Sequence, residues 1–497
     1  MNSDYFQDFK DYTSKNTNLV MVMIIFSIGI INLFYGEKMQ LSNGFGADGV
    51  IYGNWARDFF GTVFKPGDYQ IFKRIFPSAF VHFSLCILRI PLSDINIIKG
   101  FEIYNFVLLL ITVYTLGLIT DYLNFSNKGK WLAFTGFFLN FIYLKHMLYI
   151  PVISDVSAFT FGTLLLYFYL KKNRIALLIV MIIGTFSWPI FIFGAMILLL
   201  FPIEDIIPAK TPNHYNIIFS ILIVAGAFGY IYYRHFIQGI IRSNIGHNPI
   251  NESVIALSIG FCLTYLFFGL KNILDSGSLY QIGSWIKRDN MKYILIGLFL
   301  GFLFTCIVIV TLAASTKIPG GVGRLWTKLY VFFDHLLIAP VARPFYPVVP
   351  HISCFGPLII LTIFLWKQIA RTIHQYGNGL TLFMTAHFIL TTMPSSRQLL
   401  NFFPFFVIFT VKAFEEFRFK ASYYWFIAII SLLYSKVWLR INVTDTESSL
   451  LNPLGNKYIM NYFLYNNDFA YIAHTFIVII TIIVFYFVFS NKIFSED

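Results

Sequence analysis

Long runs of apolar residues, joined by mostly short polar connections, recur along nearly the whole chain and limit what it can fold into. Of its 497 residues, 57% are hydrophobic and only 12% are charged, roughly half the charged fraction of a soluble domain. The sequence therefore predicts an all-α polytopic membrane protein, folded as one integral-membrane domain over residues 1–497. The apolar runs lie near residues 18–36, 101–120, 131–150, 156–170, 175–187, 189–201, 216–233, 253–270, 293–313, 353–366, 379–393, 400–413, 422–437 and 470–490.

Some of these runs are too short to cross a bilayer alone. A full crossing needs roughly 20 residues, so we expect about 12–14 transmembrane helices. Between residues 175 and 201 the pair Trp188-Pro189 interrupts the apolar pattern. Because proline inside a helix removes a hydrogen bond and clashes with the preceding turn, two short helices are predicted there instead of one long one.

Basic residues in the short connections orient the predicted helices. Lys171, Lys172 and Arg174 lie on the same side of the topology as Lys367 and Arg371. Cytoplasmic loops carry an excess of Lys and Arg, so this side is predicted to be cytoplasmic, together with both termini. The long connections 37–76, 234–252, 314–352 and 438–469 then lie on the extracytoplasmic face.

The basic balance of the chain fits a membrane protein with an anionic ligand. The formal net charge is +12, and the long connections carry many of the Lys and Arg residues. Such residues anchor the protein to anionic lipids or bind an anionic substrate, so no nucleic-acid partner is predicted. The four cysteines form no CxxC pair, and we expect small core residues without a disulfide framework: Cys86, Cys262, Cys306 and Cys354.

A short amphipathic segment that begins with an acid follows the first apolar run. From Asp48 onward the residues are predicted to form a helix on the membrane surface, with Trp55 and Phe59 on its apolar side and Asp58 on its polar side. Asp48 fits two interpretations. It can be the N-cap of this helix, or a general base held at the bilayer surface.

Two adjacent basic residues, Lys73 and Arg74, precede Pro77 and a second amphipathic stretch. Snorkelling side chains at such a position commonly anchor a helix among lipid headgroups. The alternative is that Lys73 or Arg74 binds a lipid phosphate, for which arginine offers a two-pronged donor.

A second acid, Asp155, lies in a tight apolar turn between two predicted spans, four residues after Pro151. A carboxylate in such a place is costly unless it caps a helix, is paired, binds a metal or takes part in catalysis. Ser154 and Asp155 could cap the next helix. His146 lies one turn before Tyr149 and can face the same cavity.

Further cations occur late in the chain, on the same predicted face. Arg397 opens an otherwise apolar helix, so its charge must meet a headgroup, water or an anion. Arg324 and Arg343 lie in the long connection 314–352. Two carboxylates and several cations at one membrane face suit an enzyme that takes a sugar from a polyprenyl-phosphate carrier. The cations would neutralise the leaving phosphate, and an acid would deprotonate an acceptor hydroxyl.

The order of these features resembles the GT-C superfamily of integral-membrane glycosyltransferases, which includes mannosyl- and arabinosyltransferases that use polyprenyl-phosphate sugars. The resemblance implies a GT-C module over about 18–235, variable helices over about 250–490, and inversion at the sugar by direct displacement. It is carried by an acid in the first outer loop, a basic-then-proline element, an acid in the next outer turn and a late basic residue: Asp48 with Tyr52, Lys73-Arg74 with Pro77, Asp155, and Arg397.

The resemblance also implies roles for these residues. Asp48 would be the catalytic base and Asp155 a second acid of the catalytic site. Many members have two adjacent acids in the first loop, whereas Asp48 stands between Ala47 and Gly49. A single carboxylate is a poor site for a divalent metal, so no metal or other cofactor is assigned. Contacts to substrate or phosphate are expected from Tyr52, Lys73, Arg74, Arg324 and Arg397.

Two other classes of protein remain open. A flippase or transporter of lipid-linked oligosaccharides has a similar number of spans, but tends to contain internal repeats and mid-membrane charges, which this sequence does not show. An O-antigen polymerase or ligase, which often relies on arginines, is the other. For the transferase, the expected partners are a polyprenyl-phosphate-linked sugar as donor, a glycan, lipid or protein as acceptor, and membrane lipids.

Overall fold

The computed structural model of the protein describes residues 16–46, 48–63, 74–201, 203, 214–239, 252–276, 295–299, 301, 303, 330–440 and 468–493. Over these ranges every regular element is helical, which confirms the predicted all-α class. Five helical segments are long and apolar enough to cross a membrane, as a multi-pass protein requires, while the total of 12–14 crossings stays a prediction. These segments are Thr17–Tyr35, Asp94–Tyr122, Asn216–Ile237, Val254–Leu274 and Tyr471–Ile493.

Polar side chains at connections start several helices of the N-terminal half. The Ser126 hydroxyl accepts a hydrogen bond from the Gly129 backbone amide, and the side-chain oxygen of Asn173 accepts one from the Ala176 backbone amide. Each satisfies a backbone donor that a helix start would otherwise leave without a partner.

The α-helices described in the first part of the chain are α1 (Thr17–Tyr35), α2 (Gly49–Arg57), α3 (Phe59–Val63), α4 (Ile75–Ile87), α5 (Asp94–Tyr122), α6 (Asn127–Phe138), α7 (Asp155–Leu170), α8 (Arg174–Thr185), α9 (Phe191–Leu200), α10 (His214–Tyr232) and α11 (Glu252–Ser276).

The predicted interruption near Trp188-Pro189 is confirmed. Helix α8 ends at Thr185 and α9 begins at Phe191, and the Trp188 side chain between them is fully buried. The break therefore presents an aromatic side chain to the protein interior.

Two runs predicted as continuous spans are each divided in two. In 131–150, α6 ends at Phe138 and a π-helix follows over Ile142–Met147. Between them the side-chain amide of Asn140 donates to the carbonyls of Gly136 and Phe137, and its side-chain oxygen accepts from the Tyr143 backbone amide. These side-chain bonds replace those of a regular helix.

The run 353–366 is interrupted at Gly356-Pro357. Gly356 adopts a φ of 83°, a left-handed conformation that favours glycine, and the proline that follows cannot continue the preceding helix.

The predicted span at 293–313 lies largely outside the described residues. The remaining helices are α12 (Val349–Phe355), α13 (Leu358–Phe364), α14 (Trp366–His374), α15 (Asn378–Leu390), α16 (Phe403–Glu416), α17 (Ala421–Ser435) and α18 (Asp468–Ile493).

The expectation of buried cysteines is correct for two of the three described residues. Cys262 and Cys354 are buried, whereas Cys86 is exposed and Cys306 lies outside the described residues. On helix α4, Val81 and Leu85 face the core. The next residue, Cys86, therefore lies on the outward face of the helix.

Helix α7 is the central element of the N-terminal half. It packs against α5, α8 and α16, and nearly all of its residues are buried. Hydroxyl pairs join it to α5: Tyr104 with Ser157 at 2.9 Å and Thr112 with Thr160 at 2.8 Å. These bonds fix the position of the α7 N-terminus, where Asp155 lies.

A glycine in α7 lets a distant segment approach closely. A Cβ placed on Gly162 would lie 2.2 Å from the carbonyl oxygen of Asn401. Asn401 follows a 3₁₀-helix over Ser396–Leu399, so this contact holds the segment that contains Arg397 against α7. Only glycine permits such an approach of backbone to helix.

We predict that Gly162→Ala lowers the free energy of unfolding by about 1–3 kcal/mol, because the added methyl group forces the two segments apart. Reversible unfolding of the purified protein in mixed detergent micelles measures the change. Gly226→Ala in α10 is the control, since its Cβ meets nothing within 4 Å and alanine is the better helix former. Equal stability of the Gly162→Ala variant and the wild type would show that this contact does not hold the segment.

Candidate functional site

The Arg397 guanidinium connects three segments that are far apart in sequence. Its Nε and Nη2 atoms donate to Oδ1 and Oδ2 of Asp155, each at 2.6 Å. Its Nη1 atom lies 3.5 Å from Oδ2 of Asp48. Arg397 and Asp155 are 8% and 0% exposed, whereas the side chain of Asp48 is 56% exposed. The two predicted acids thus share one arginine, but only one of them is accessible.

Burial and charge act in opposite directions on Arg397. Burial alone would lower the pKa of the guanidinium, but the carboxylates of Asp155 and Asp48 raise it above its usual value. The arginine is therefore a permanent cation. The counter-charge that the sequence requires for Arg397 comes from acids of the protein itself.

Asp155 is an anchor for Arg397. The alternative interpretation, that Ser154 and Asp155 cap α7, fails because the N-cap residue Ser154 makes no side-chain capping bond and both oxygens of Asp155 accept from Arg397. A two-pronged pair of this kind fixes both partners in orientation as well as position. Asp155 is thus a positioning residue for the arginine.

Asp48 also does not cap its helix. It occupies the N-cap position of α2, but its side chain makes no capping hydrogen bond. The loop before it is fastened to the turn before Asp155, where the Met39 amide donates to the Tyr149 carbonyl at 3.1 Å. This contact brings the first loop to the α7 N-terminus and leaves the Asp48 carboxylate at the surface beside Arg397.

A second cation, Arg74, lies beside this group. Its Nη1 atom donates to the Tyr52 hydroxyl at 2.9 Å, and its guanidinium carbon lies 4.4 Å from the centre of the Trp188 ring. Arg74 interacts electrostatically with Asp155, and Tyr52 does so with Arg397. The five described residues Asp48, Tyr52, Arg74, Asp155 and Arg397 therefore form one site.

Hydrogen bonds of the residues that follow Arg74 hold it in this position. The Phe76 amide donates to the Phe186 carbonyl in the break between α8 and α9. The Ser78 hydroxyl donates to the Tyr52 carbonyl at 3.0 Å. The start of α4 is thereby fixed between the break and α2, directly over Trp188.

The structure adds Trp188 to the predicted site and brings His146 next to it. The sequence marks Trp188 only as part of a helix break, whereas in the structure its buried ring lies under the Arg74 guanidinium. His146 is buried in the π-helix and interacts electrostatically with Asp155 and Arg397, so it shares their surroundings as expected. The Arg343 guanidinium lies against the rings of Tyr346 and Tyr471.

Two predicted residues, Lys73 and Arg324, lie outside the described residues. Among the residues that the structure describes, no group of three or more His, Cys, Asp and Glu side chains is arranged to hold a metal ion. The described part of the site consists of two acids, two arginines, His146 and the aromatic side chains of Tyr52 and Trp188.

Comparisons with protein families, with curated proteins and with solved structures each gave no match. The function proposed below consequently rests on the geometry of the site.

We predict that Arg397→Gln lowers the free energy of unfolding by about 3–5 kcal/mol, because Asp155 would remain buried without its charged partner. Reversible unfolding in mixed micelles measures the loss. Arg57→Gln is the matched control, since Arg57 pairs with Asp94 at an exposed position and exposed pairs contribute at most about 1 kcal/mol. Similar losses in the two variants would contradict the anchoring role of the Arg397–Asp155 pair.

Proposed function

We propose that this protein is a membrane glycosyltransferase of the GT-C type, which moves a sugar from a polyprenyl-phosphate carrier to an acceptor hydroxyl on the extracytoplasmic face. The observation that supports this proposal best is the unequal environment of the two acids around Arg397. Asp155 is buried with both oxygens bound, whereas Asp48 is exposed and keeps an accessible carboxylate edge.

In this proposal Asp48 is the general base. It accepts the proton of the acceptor hydroxyl as that oxygen forms a bond to the anomeric carbon of the sugar. The bond between this carbon and the carrier phosphate oxygen breaks, and the phosphate leaves with the electron pair. Attack from the side opposite the leaving group inverts the configuration at the sugar.

Arg74 is the proposed contact for the leaving phosphate. Its guanidinium has five N–H donors in a planar fork, and the bond to Tyr52 uses one of them. Stacking on Trp188 fixes the plane of the fork, so the remaining donors are oriented before the substrate binds. Arg397, by contrast, is engaged by Asp155 and is proposed to orient Asp48.

The surrounding helices suit a substrate with a long isoprenoid chain. Asp48 follows the apolar helix α1 by a short loop, and Asp155 follows the connection from α6. The site therefore lies at an end of apolar helices, where a lipid-linked phosphate would meet the protein. The connections at the opposite ends of these helices are rich in Lys and Arg, which is typical of cytoplasmic loops. This favours an extracytoplasmic position for the site.

We predict that Asp48→Asn lowers the turnover number for sugar transfer by about 10²–10⁴-fold, the range typical for loss of a general base. The assay uses purified protein with a panel of polyprenyl-phosphate sugars and acceptor lipids, with the product measured by mass spectrometry. The binding of the donor is expected to change little, because the contacts made by Arg74 remain.

Asp58→Asn is the matched control, since Asp58 lies at the other end of α2 and its carboxylate accepts a hydrogen bond from the nearby Gly61 amide. It should keep wild-type turnover. Unaltered transfer by Asp48→Asn would remove the proposed base. Net movement of the intact lipid-linked sugar across vesicles, without any transfer product, would favour the transporter instead.

A further inference from the structure

An ion pair with a tyrosine bonded to it lies near the end of the apolar span Asn216–Ile237. Nε of Arg234 donates to Oδ1 of Asp334 at 2.8 Å, and Nη2 of Arg234 bonds to Oδ2 of the same carboxylate. The Tyr230 hydroxyl donates to Oδ1 of Asp334 at 2.8 Å. The charges of Arg234 and Asp334 cancel, so these three residues, called the Tyr230 group, match a neutral ligand.

Irregular helix geometry places the three side chains of the Tyr230 group beside one another. A π-helix over Tyr233–Ile237 contains Arg234, and a second π-helix over Asp334–Ile338 begins at Asp334. A π-helix accommodates an extra residue in its turn and is frequent at functional sites. Nη1 of Arg234 also donates to Oε1 of Gln238 at 2.6 Å, so the guanidinium is held on two sides.

A cavity of about 440 Å³ adjoins the Tyr230 group, and Tyr230 itself lies in its wall. Leu266 and Leu336 belong to its lining and are buried, whereas Tyr330 and Phe333 belong to its lining and are exposed. The cavity therefore opens from a closed interior to the surface of the helices. Its volume is within the range of ligand sites, about 300–1,000 Å³, and in a membrane protein such an opening admits a lipid from the side.

The wall formed by helix α10 is short and smooth. Its lining residues, Ile223, Gly226, Ala227 and Tyr230, cover roughly 10 Å of the helix axis. Gly226 and Ala227 project no long side chain, and a Cβ placed on Gly226 would meet nothing within 4 Å. The ring of Phe333 lies 5.8 Å from that of Tyr230, centre to centre. A wide cavity with a smooth wall and aromatic rings suits a rigid fused-ring body better than a single extended chain.

The sequence of this span contains a pattern proposed for contact with sterols. The pattern is Leu or Val, then Tyr, then Lys or Arg, with one to five residues between successive members. Val224, Tyr230 and Arg234 fit it. Such short patterns are common by chance, but here the structure adds an independent observation, because Tyr230 lines a cavity and shares one carboxylate with Arg234.

The direction of the Tyr230 hydrogen bond determines which head group fits the cavity. The single hydroxyl proton of Tyr230 goes to Asp334, since a carboxylate paired with an arginine only accepts. The phenolic oxygen therefore offers a ligand an acceptor and no proton. An alcohol can donate to it, whereas a ketone, an ether or an ester cannot.

We propose that this cavity binds a neutral polycyclic lipid alcohol, a sterol or a hopanol, whose hydroxyl donates to Tyr230. Its fused rings would lie between helix α10 and the helical segment Tyr330–Ala342. Tyrosine is enriched at membrane interfaces, so the hydroxyl would lie at the interface and the rings in the apolar layer. The inference rests on the contacts of this cavity and does not depend on the proposed transferase activity.

The test is photo-crosslinking of the full-length protein in lipid nanodiscs. The probe is cholestanol with a diazirine in its ring system, and peptide mass spectrometry locates the adducts. We expect adducts within residues 223–230 and 330–337. Unlabelled cholesterol or the hopanol diplopterol should compete, and the stronger competitor identifies the preferred ring system.

Two further competitors test the chemistry of the ligand. Cholest-4-en-3-one has the rings but no hydroxyl to donate, and should compete about fivefold more weakly than cholesterol, the loss expected for one hydrogen bond. 1-Octadecanol has the hydroxyl but no rings, and should also compete several-fold more weakly.

Tyr230→Phe removes the phenolic acceptor and keeps the ring. It should lower the labelling about fivefold and abolish the preference for cholesterol over the ketone. Tyr232→Phe is the matched control, because Tyr232 is 49% exposed and lies outside the cavity lining. It should keep both the labelling and the preference.

Gly226→Leu tests the body of the cavity. Because a Cβ at Gly226 meets no neighbour, the larger side chain should occupy cavity space and reduce the labelling several-fold without a clash. Gly229→Leu is the matched control, since a Cβ there also meets nothing within 4 Å but Gly229 does not line the cavity. Retention of the thermal midpoint of unfolding shows that each variant folds.

The wild-type protein decides the proposal even if a variant does not fold. Competition by the ketone or by 1-octadecanol as strong as that by both polycyclic alcohols would overturn it, and so would adducts confined to other peptides. Unchanged labelling of folded Tyr230→Phe and Gly226→Leu variants would overturn it as well. None of these outcomes affects the proposed transferase activity, which is tested by sugar transfer with Asp48→Asn.

Discussion

The pair formed by Arg397 and Asp155 holds together the parts of the chain that make up the site. The two residues are 242 positions apart in sequence and are both buried, and the same guanidinium reaches Asp48 in the first loop. Removing two charges from water offsets much of their mutual attraction, so a buried pair of this kind contributes little net stability compared with apolar side chains of the same size. We therefore infer that its main effect is to determine where Arg397, and with it Asp48, lies.

The rest of the fold supplies the conditions for this pair. Hydroxyl bonds to α5 position the start of α7, and Gly162 allows the backbone at Asn401 to approach α7 closely. The second arginine of the site, Arg74, is oriented by the Trp188 ring and the Tyr52 hydroxyl. The site is consequently built from ends of helices that are fixed by packing along their lengths, which gives short polar segments a rigid support.

Much of the helical architecture could be predicted from sequence, because apolar runs flanked by polar connections indicate helices directly. The sequence also predicts the convergence of acids and arginines from separate connections, since the predicted topology places these connections on one face. The divisions at Asn140 and Gly356 could not be predicted from apolar content. At Asn140 a single side chain takes over backbone bonds, and at Gly356 a left-handed φ is needed, neither of which changes the hydropathy of the run.

The division of roles between the two acids also could not be predicted. In sequence Asp48 and Asp155 each precede a helix, so each fitted a cap equally well, and only the three-dimensional structure distinguishes the exposed acid from the paired one. Trp188 was overlooked as a site residue for a similar reason, because its contact with Arg74 depends on the packing of α4 against the break between α8 and α9.

The most direct test of the central claim is electron cryo-microscopy of the protein with a bound, non-transferable polyprenyl-phosphate sugar analogue. The proposal predicts density for the phosphate at Arg74, with the sugar directed toward the exposed carboxylate of Asp48 and the Arg397–Asp155 pair intact. A phosphate bound elsewhere, with Asp48 remote from the sugar, would contradict the account.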